Sequence, residues 1–314
     1  MLNIIYDGDP GIDDAIAILF AMKTERVNVK AIITVAGNIS VYKAARNVFK
    51  ILSLLGEENK VKVGVGSDKP LLRPLQTAEY YHGPDGLGDT ENLFQNLKIE
   101  ELMKVACPGI DLMIETIMES TSPITLITTG PLTNLAKAIS IDPRIIPKIE
   151  RVVSMGGAIA VQGNITPYAE FNIYTDPEAA QQVFHSGLPI TLVPLDVTMK
   201  TYLKRKELSE IREGETRLTE FVCKSISYCM GLRQKTSKEK FYLHDPLAAG
   251  VIIDETLIRG SELGHLNVEC SDEKTLGRTY FHKDPAPHLS PKIQVIRDID
   301  SGRFVELLIK TLKR

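Results

Sequence analysis

The run Asp7-Gly8-Asp9-Pro10-Gly11-Ile12-Asp13-Asp14 sets four carboxylates within eight residues, around a Pro-Gly turn. Isolated aspartates ionise near pH 3.9, so all four would carry charge at neutral pH. Holding them together costs free energy through like-charge repulsion. A helix N-terminus offsets only about 0.3–1 kcal/mol per charge. Capping accounts for one or two of these acids, not for four. A hard divalent cation would resolve the conflict, because Mg²⁺ and Ca²⁺ take oxygen ligands and favour carboxylates. The interrupting Pro-Gly is unlike the alternating ligands of an EF-hand loop. In an enzyme, one of these carboxylates would also have work to do beyond binding the metal.

An apolar run, Leu2–Tyr6, leads into this turn, and a helical pattern, Asp13–Lys23, leaves it. The acids therefore sit at the carboxyl end of a strand, where open α/β sheets place their ligands. Further Ile/Val-rich strands are expected at Lys30–Val35, Val61–Val65, Ile124–Thr128, Arg151–Met155 and Ile190–Pro194. Helical segments are expected between them at Val41–Leu55, Asp111–Ser120, Leu132–Ile139 and Asp176–Ser186. Strands apolar on both faces, alternating with helices, imply βαβ units. The fold class is α/β: an open, mostly parallel (mixed) β-sheet flanked by helices. Beyond residue 200 the pattern changes. Lys204–Arg217 is a dense mixed-charge stretch that reads as a solvated helical face, and helices are expected at Arg217–Arg233, after His244-Asp245-Pro246, and at Ser301–Leu312. No linker composition interrupts the chain, so residues 1–314 read as one domain. Lys69–Gly88 and Gly156–Asp176 are long irregular stretches, which in compact domains are often functional.

With 37 Lys+Arg against 40 Asp+Glu the net charge is −3, which offers no field for neutralising nucleic-acid phosphates. The cysteines Cys107, Cys223, Cys229 and Cys270 form no C-x-x-C pair and read as reduced core thiols. The first residues lack a signal peptide's basic start and apolar core. The longest apolar run near them, Ala15–Met22, has eight residues and is too short to span a bilayer. A cytoplasmic protein with no membrane partner is expected.

The motif Asp7 to Ala15 resembles the signature of the inosine-uridine nucleoside hydrolases, which cleave the N-glycosidic bond of ribonucleosides with a bound calcium ion. Later motifs are similar to that family's in order: Val35-Ala36-Gly37-Asn38, then His82-Gly83-Pro84-Asp85-Gly86-Leu87-Gly88, then Thr128-Thr129-Gly130-Pro131-Leu132-Thr133-Asn134. Met155-Gly156-Gly157, Asn164, Ala169-Glu170-Phe171-Asn172, Asp176-Pro177 and His244-Asp245-Pro246 complete the series. The resemblance implies a Rossmann-like nucleoside hydrolase fold, a ribonucleoside substrate and a homodimer or homotetramer.

Carried over residue by residue, it implies calcium held by Asp9, Asp14, the Thr129 backbone carbonyl and Asp245. All are oxygen donors, as calcium requires. Asp9 would be the general base for an attacking water, in the manner of an inverting glycosidase. Asp13, Asn38, Asn164, Glu170 and Asn172 would contact the ribose, and Met155 would pack against sugar or base. His244 would protonate or hydrogen-bond the departing base, and His82 would close over it. Gly8 departs from the family's larger residue, commonly threonine; its side chain should alternate away from the metal, with little effect. Tyr228, Arg233 and Gln234, with Lys235–Lys240 beyond them, are the region expected to contact the base, leaving purine, pyrimidine or broad preference open. Two alternatives compete: a metal-dependent phosphohydrolase with Asp7 or Asp9 as nucleophile and a basic residue facing phosphate, and a non-catalytic ribose- or nucleoside-binding protein.

Overall fold

The computed structural model describes residues 1–233, 240–284 and 290–314, with the side chains of 232 and 233 also left aside. Its strands are β1 (Leu2–Gly8), β2 (Val27–Thr34), β3 (Lys62–Val65), β4 (Cys107–Pro108), β5 (Ile124–Thr128), β6 (Ile149–Met155), β7 (Ile190–Val193), β8 (Tyr202–Leu203), β9 (Phe241–Tyr242), β10 (Ile258–Val268), β11 (Thr279–His282) and β12 (Ile293–Ile299). Ten of them form one sheet in the order β11-β10-β12-β7-β6-β5-β1-β2-β3-β4, and β8 pairs with β9 apart from it. Every pairing from β12 across to β4 is parallel, while β10 runs antiparallel to both β11 and β12. The expected mixed, mostly parallel sheet is present.

Strand β1 places Ile4 and Tyr6 in one apolar layer and Ile5 in the other, the period-two alternation of a strand covered on both faces. One layer receives the helices Ile12–Lys23, Val41–Ser53, Arg217–Arg233, His244–Ile253 and Ser301–Lys313. The other receives Gly109–Glu119, Thr133–Ile141 and Pro177–Phe184. From β1 the chain builds outward through β2, β3 and β4, then crosses to β5 on β1's other side. That reversal makes the β1/β5 carboxyl ends a topological switch point, the place where doubly wound sheets open a crevice.

The antiparallel edge, β10 to β12, has no counterpart among the expected strands. Half of β10 is solvent-facing, and Gly260, Ser261, Glu262 and Gly264 interrupt any apolar run. The mixed-charge stretch does hold a helix, Arg205–Arg212, which buries only Leu208 and Ile211. All four cysteines are free thiols; Cys223 and Cys229 are buried, whereas Cys107 and Cys270 are only partly so. Among the described residues no helix is long and apolar enough to cross a membrane.

Candidate active site

Two helix N-termini converge at the end of β1. Asp13 and Asp14 occupy the first turn of Ile12–Lys23, and Asp245 the first turn of His244–Ile253, which packs alongside it. The three carboxylates offer oxygens that all lie within 4.8 Å of one another. This set contains Asp13, which the sequence assigned to the ribose. The partial positive charge of each helix end favours acids there but cannot balance three of them.

Asp9 is fully buried beside this group. Its Oδ2 accepts the Asn38 backbone N–H at 2.6 Å, and its Oδ1 is buried with no hydrogen-bond partner. Two glycines make room for it: a Cβ on Gly37 would fall 2.0 Å from Oδ2, and one on Gly130 would fall 2.9 Å from Oδ1. Asp14 accepts from Gly11 N at 3.1 Å and Asn38 Nδ2 at 3.3 Å through Oδ2, and from the Thr129 hydroxyl at 2.7 Å through Oδ1. Burial, followed by the Asp14 charge, pushes Asp13 up to about 7 and Asp9 well above the usual carboxylate range. Burial and then Asp13 do the same to Asp245.

No lysine or arginine lines the cleft among the described residues. The buried charge therefore calls for protons or a cation. An oxygen-only donor set suits a hard divalent ion, and the partnerless Asp9 Oδ1 is an open ligand position. The Thr129 carbonyl accepts from Asn172 Nδ2 at 2.8 Å, which leaves one of its two lone pairs. The residues present fit such an ion.

Above the acids lies a cleft of about 180 Å³. Asp13, Asn38, Thr129 and Asp245 line its base, and Met155, Asn164, Glu170 and Asn172 form a wall. The structure thus brings together the sequence-expected residues, with Asp9 and Asp14 buried beneath them. Asn164 Oδ1 accepts Phe171 N at 2.8 Å, so its amide nitrogen is the group it can turn toward the cleft. Glu170 accepts from Gly157 N, Asn172 N and Ile173 N, capping the Phe171–Thr175 helix and thereby fixing Asn172.

Both histidines also line the cleft. His82 Nδ1 accepts the Ile12 N–H at 3.1 Å, at the N-terminus of the Ile12–Lys23 helix. Burial and the charge of His244 hold it down at about 3, so it is neutral at physiological pH. A neutral ring accepting at Nδ1 carries its proton at Nε2. His244 Nδ1 lies 2.8 Å from Thr198 Oγ1, and its ring is tilted 35° against Tyr242 at 5.8 Å.

Aromatic and apolar residues that the sequence did not single out complete the cleft: Tyr80, Tyr81, Ile165, Phe171, Met199 and Tyr242. The cue available was position alone, since Tyr80, Tyr81 and Ile165 fall in the two long irregular stretches. Tyr228, an expected base contact, instead faces Gly83 and Gly88 of the histidine loop. Lys240 lies over the Tyr202 ring at 3.9 Å; Gln234 and residues 235–239, with the Arg233 side chain, lie outside the described residues. Asp7 is not part of the cleft: it accepts from Asn134 at 2.8 Å and is pushed up to about 7 by burial.

Gly8 corrects an expectation. A Cβ there would not point away from the acids. It would fall 2.7 Å from Asp14 Oδ1, 2.5 Å from Thr129 Oγ1 and 2.8 Å from Tyr6 Cε1. That space is taken by the Tyr6 and Thr129 side chains, so position 8 has no room for a larger residue.

Residues 4–306 match the family model of the inosine-uridine preferring nucleoside hydrolases. The pyrimidine-specific ribonucleoside hydrolase RihA of Citrobacter koseri is 37% identical over 99% of this chain and 98% of its own. A plant nucleoside hydrolase superposes with a TM-score of 0.90 at 30% identity, covering 99% of both chains. The purine-preferring ribonucleoside hydrolase from Gardnerella vaginalis gives a TM-score of 0.89 at 29% identity, covering 99% of this chain and 98% of its own. The chain belongs to the inosine-uridine preferring nucleoside hydrolase family and is a ribonucleoside hydrolase, a glycosidase acting on N-glycosyl bonds.

Proposed function

We propose that this hydrolase is calcium-dependent and prefers pyrimidine ribonucleosides, with Asp9 as the base that takes a proton from the attacking water. The observation that carries the reading is the buried, partnerless Asp9 Oδ1 beside the Asp13–Asp14–Asp245 group. Asp9, Asp14, the Thr129 carbonyl and Asp245 would hold the ion. Calcium bound there would anchor ribose hydroxyls and orient and acidify a water.

The C1′–N bond breaks as the C1′–O bond forms, with inversion at C1′. The water's proton passes to Asp9 Oδ1, since Oδ2 is held by Asn38. Asp13 accepts a hydrogen bond from a ribose hydroxyl, and Asn38, Asn164, Glu170 and Asn172 surround the sugar, with Met155 packed against it. A missing hydroxyl would leave these buried partners unpaired, so deoxyribose is discriminated against. His244 hydrogen-bonds or protonates the departing base, and His82 presents an Nε2–H donor in the same cleft. The pyrimidine preference is supported by the relative matched over 99% of the chain; a purine-preferring structural neighbour keeps purines as the competing outcome. The absence of Lys or Arg around the cleft, among the described residues, disfavours a phosphate ester. We also read the chain as one domain that is cytoplasmic and assembles as a homodimer or homotetramer.

The test is reducing-sugar release from uridine, cytidine, inosine, adenosine and their 2′-deoxy forms, after chelation and after calcium add-back. Release from uridine or cytidine that disappears with chelator and returns with calcium is expected. Turnover that is indifferent to the chelator would sink the calcium reading, and faster release from inosine would overturn the base preference.

A further inference from the structure

The Thr129 hydroxyl lies 2.7 Å from Asp14 Oδ1 and 2.8 Å from the Tyr6 phenol oxygen, while the phenol is 3.4 Å from Asp14. Thr129 has one hydroxyl proton, and it can serve only one of these neighbours. If it went to Tyr6, a carboxylate and a hydroxyl oxygen would face each other at 2.7 Å with no proton between them. With Asp14 ionised, as a cation ligand is, the arrangement that satisfies all three groups runs one way: the Tyr6 O–H donates to Thr129, and the Thr129 O–H donates to Asp14. Tyr6 and Thr129 are each 1% exposed and Asp14 is 0%, so bulk water does not reach either donor. The relay exists only because residue 8 is glycine, for a Cβ there would occupy the space of Thr129 Oγ1, Asp14 Oδ1 and Tyr6 Cε1 together.

We propose that Tyr6 and the Thr129 side chain are positioning residues for Asp14, a two-hydroxyl relay, admitted by Gly8, that fixes the carboxylate for the bound cation. The proposal rests on the calcium reading above. With Gly11 N and Asn38 Nδ2 holding Oδ2, the relay holds Oδ1, and the carboxylate cannot rotate away. Asp14 keeps one lone pair, on Oδ1, for an ion, because a carboxylate offers about four acceptor sites and three of them are taken. Groups that orient a metal ligand in this way typically change affinity by about 10–100-fold when removed. Thr129 is then used twice, by its carbonyl toward the ion and by its hydroxyl toward another ligand of the same ion.

The experiment is calcium titration calorimetry on the purified, chelator-stripped full chain and on Thr129→Ser, Thr129→Val and Tyr6→Phe, with melting temperature in chelator measured in parallel. Thr129→Ser should bind like the native chain, since it retains the hydroxyl. Thr129→Val should lose roughly tenfold or more in affinity. Tyr6→Phe, which leaves the Thr129 donor in place, should lose about threefold. Equal affinity in Thr129→Ser and Thr129→Val, with both folded in chelator, would overturn the relay while leaving the calcium reading intact. An effect of Tyr6→Phe confined to the melting temperature in chelator would overturn Tyr6's part. If the native chain itself binds no calcium, both readings fail together.

Discussion

The floor and the wall of the cleft are built in opposite ways. The floor consists of Asp9, Asp13, Asp14 and Asp245, set at a strand end and two helix N-termini and buried among hydrogen bonds from backbone and side chain. The wall is made of rings, Tyr80, Tyr81, His82, Tyr242 and His244, carried on the short Glu79–His82 helix and the two-residue strand β9 leading into His244. Tyr80 is 69% exposed, whereas Asp9 and Asp14 are fully buried. A buried polar site is over-determined: each oxygen of Asp9 and Asp14 has a donor or an open ligand position, and a small change there is costly. An aromatic wall contributes apolar area and a few directed groups, so it tolerates exchange and changes preference instead. On the reading proposed above, hydrolysis would depend on the first and choice among bases on the second.

The sharpest way to break this contrast is at Asp9. Asp9→Asn preserves shape and removes the proton acceptor, so kcat should fall by roughly 10³–10⁴-fold, the upper range for loss of a general base. Because Asp9 would also hold the ion, nucleoside binding is measured by calorimetry at a calcium concentration that saturates the variant, where it should survive within a few fold. Retention of a tenth of native turnover would mean that the base lies elsewhere on the floor, with Asp13 next in line.

The same contrast separates what is legible in the sequence from what is not. Most of the floor is legible because Asp9, Asp13 and Asp14 are close along the chain: with Asp7 they set four acids within eight residues, which conflicts with electrostatics unless something neutralises them, whereas Asp245 is reached only through the family resemblance. The parallel strands are legible because burial on both faces writes a continuous apolar run, as in β5, buried at every position. The antiparallel edge is not, since β10 alternates with solvent over much of its length. Nor are the wall's tyrosines: Tyr80 and Tyr242 are far apart in the chain and follow no fixed spacing, and only the wall's histidines are reached, through the family resemblance. Gly8 shows a third kind of blindness. Alternation along β1 predicts a side chain turned away from the metal, whereas a Cβ at residue 8 would meet Asp14 and the Thr129 hydroxyl, which reaches that space from β5's end.

The wall should respond differently from the floor. Tyr242 lines the cleft and stacks, tilted, against His244. Tyr242→Ala removes that ring contact and its apolar area, so the ratio of kcat/KM for uridine over inosine should shift by about tenfold. Calcium affinity should be unchanged, since the ring contact that is removed is with His244. Tyr242→Phe keeps the ring and should keep the native ratio within about threefold. A uniform fall in turnover for every nucleoside, with the ratio constant, would show instead that Tyr242 acts by holding His244 in place.

His82 joins the two regions, since its ring lines the wall while its Nδ1 accepts from the first turn of the helix that carries Asp13 and Asp14. Held at about 3 by burial and by His244, it stays neutral in the folded chain where an unfolded histidine, near 6.5, takes up a proton. Between those values the unfolded state binds more protons, so this group's contribution is complete well above about pH 6.5 and declines as pH falls toward 3. At about pH 6 the decline from this group is about 0.8 kcal/mol and steepens below. His82→Gln carries no such charge. Its melting temperature, measured in calcium from about pH 7.5 to about 5.5, should therefore fall less steeply than that of the native chain, whatever its absolute value. Parallel slopes would mean that the ring takes up its proton in the folded state by reorienting, and that the Ile12 N–H does not fix its tautomer.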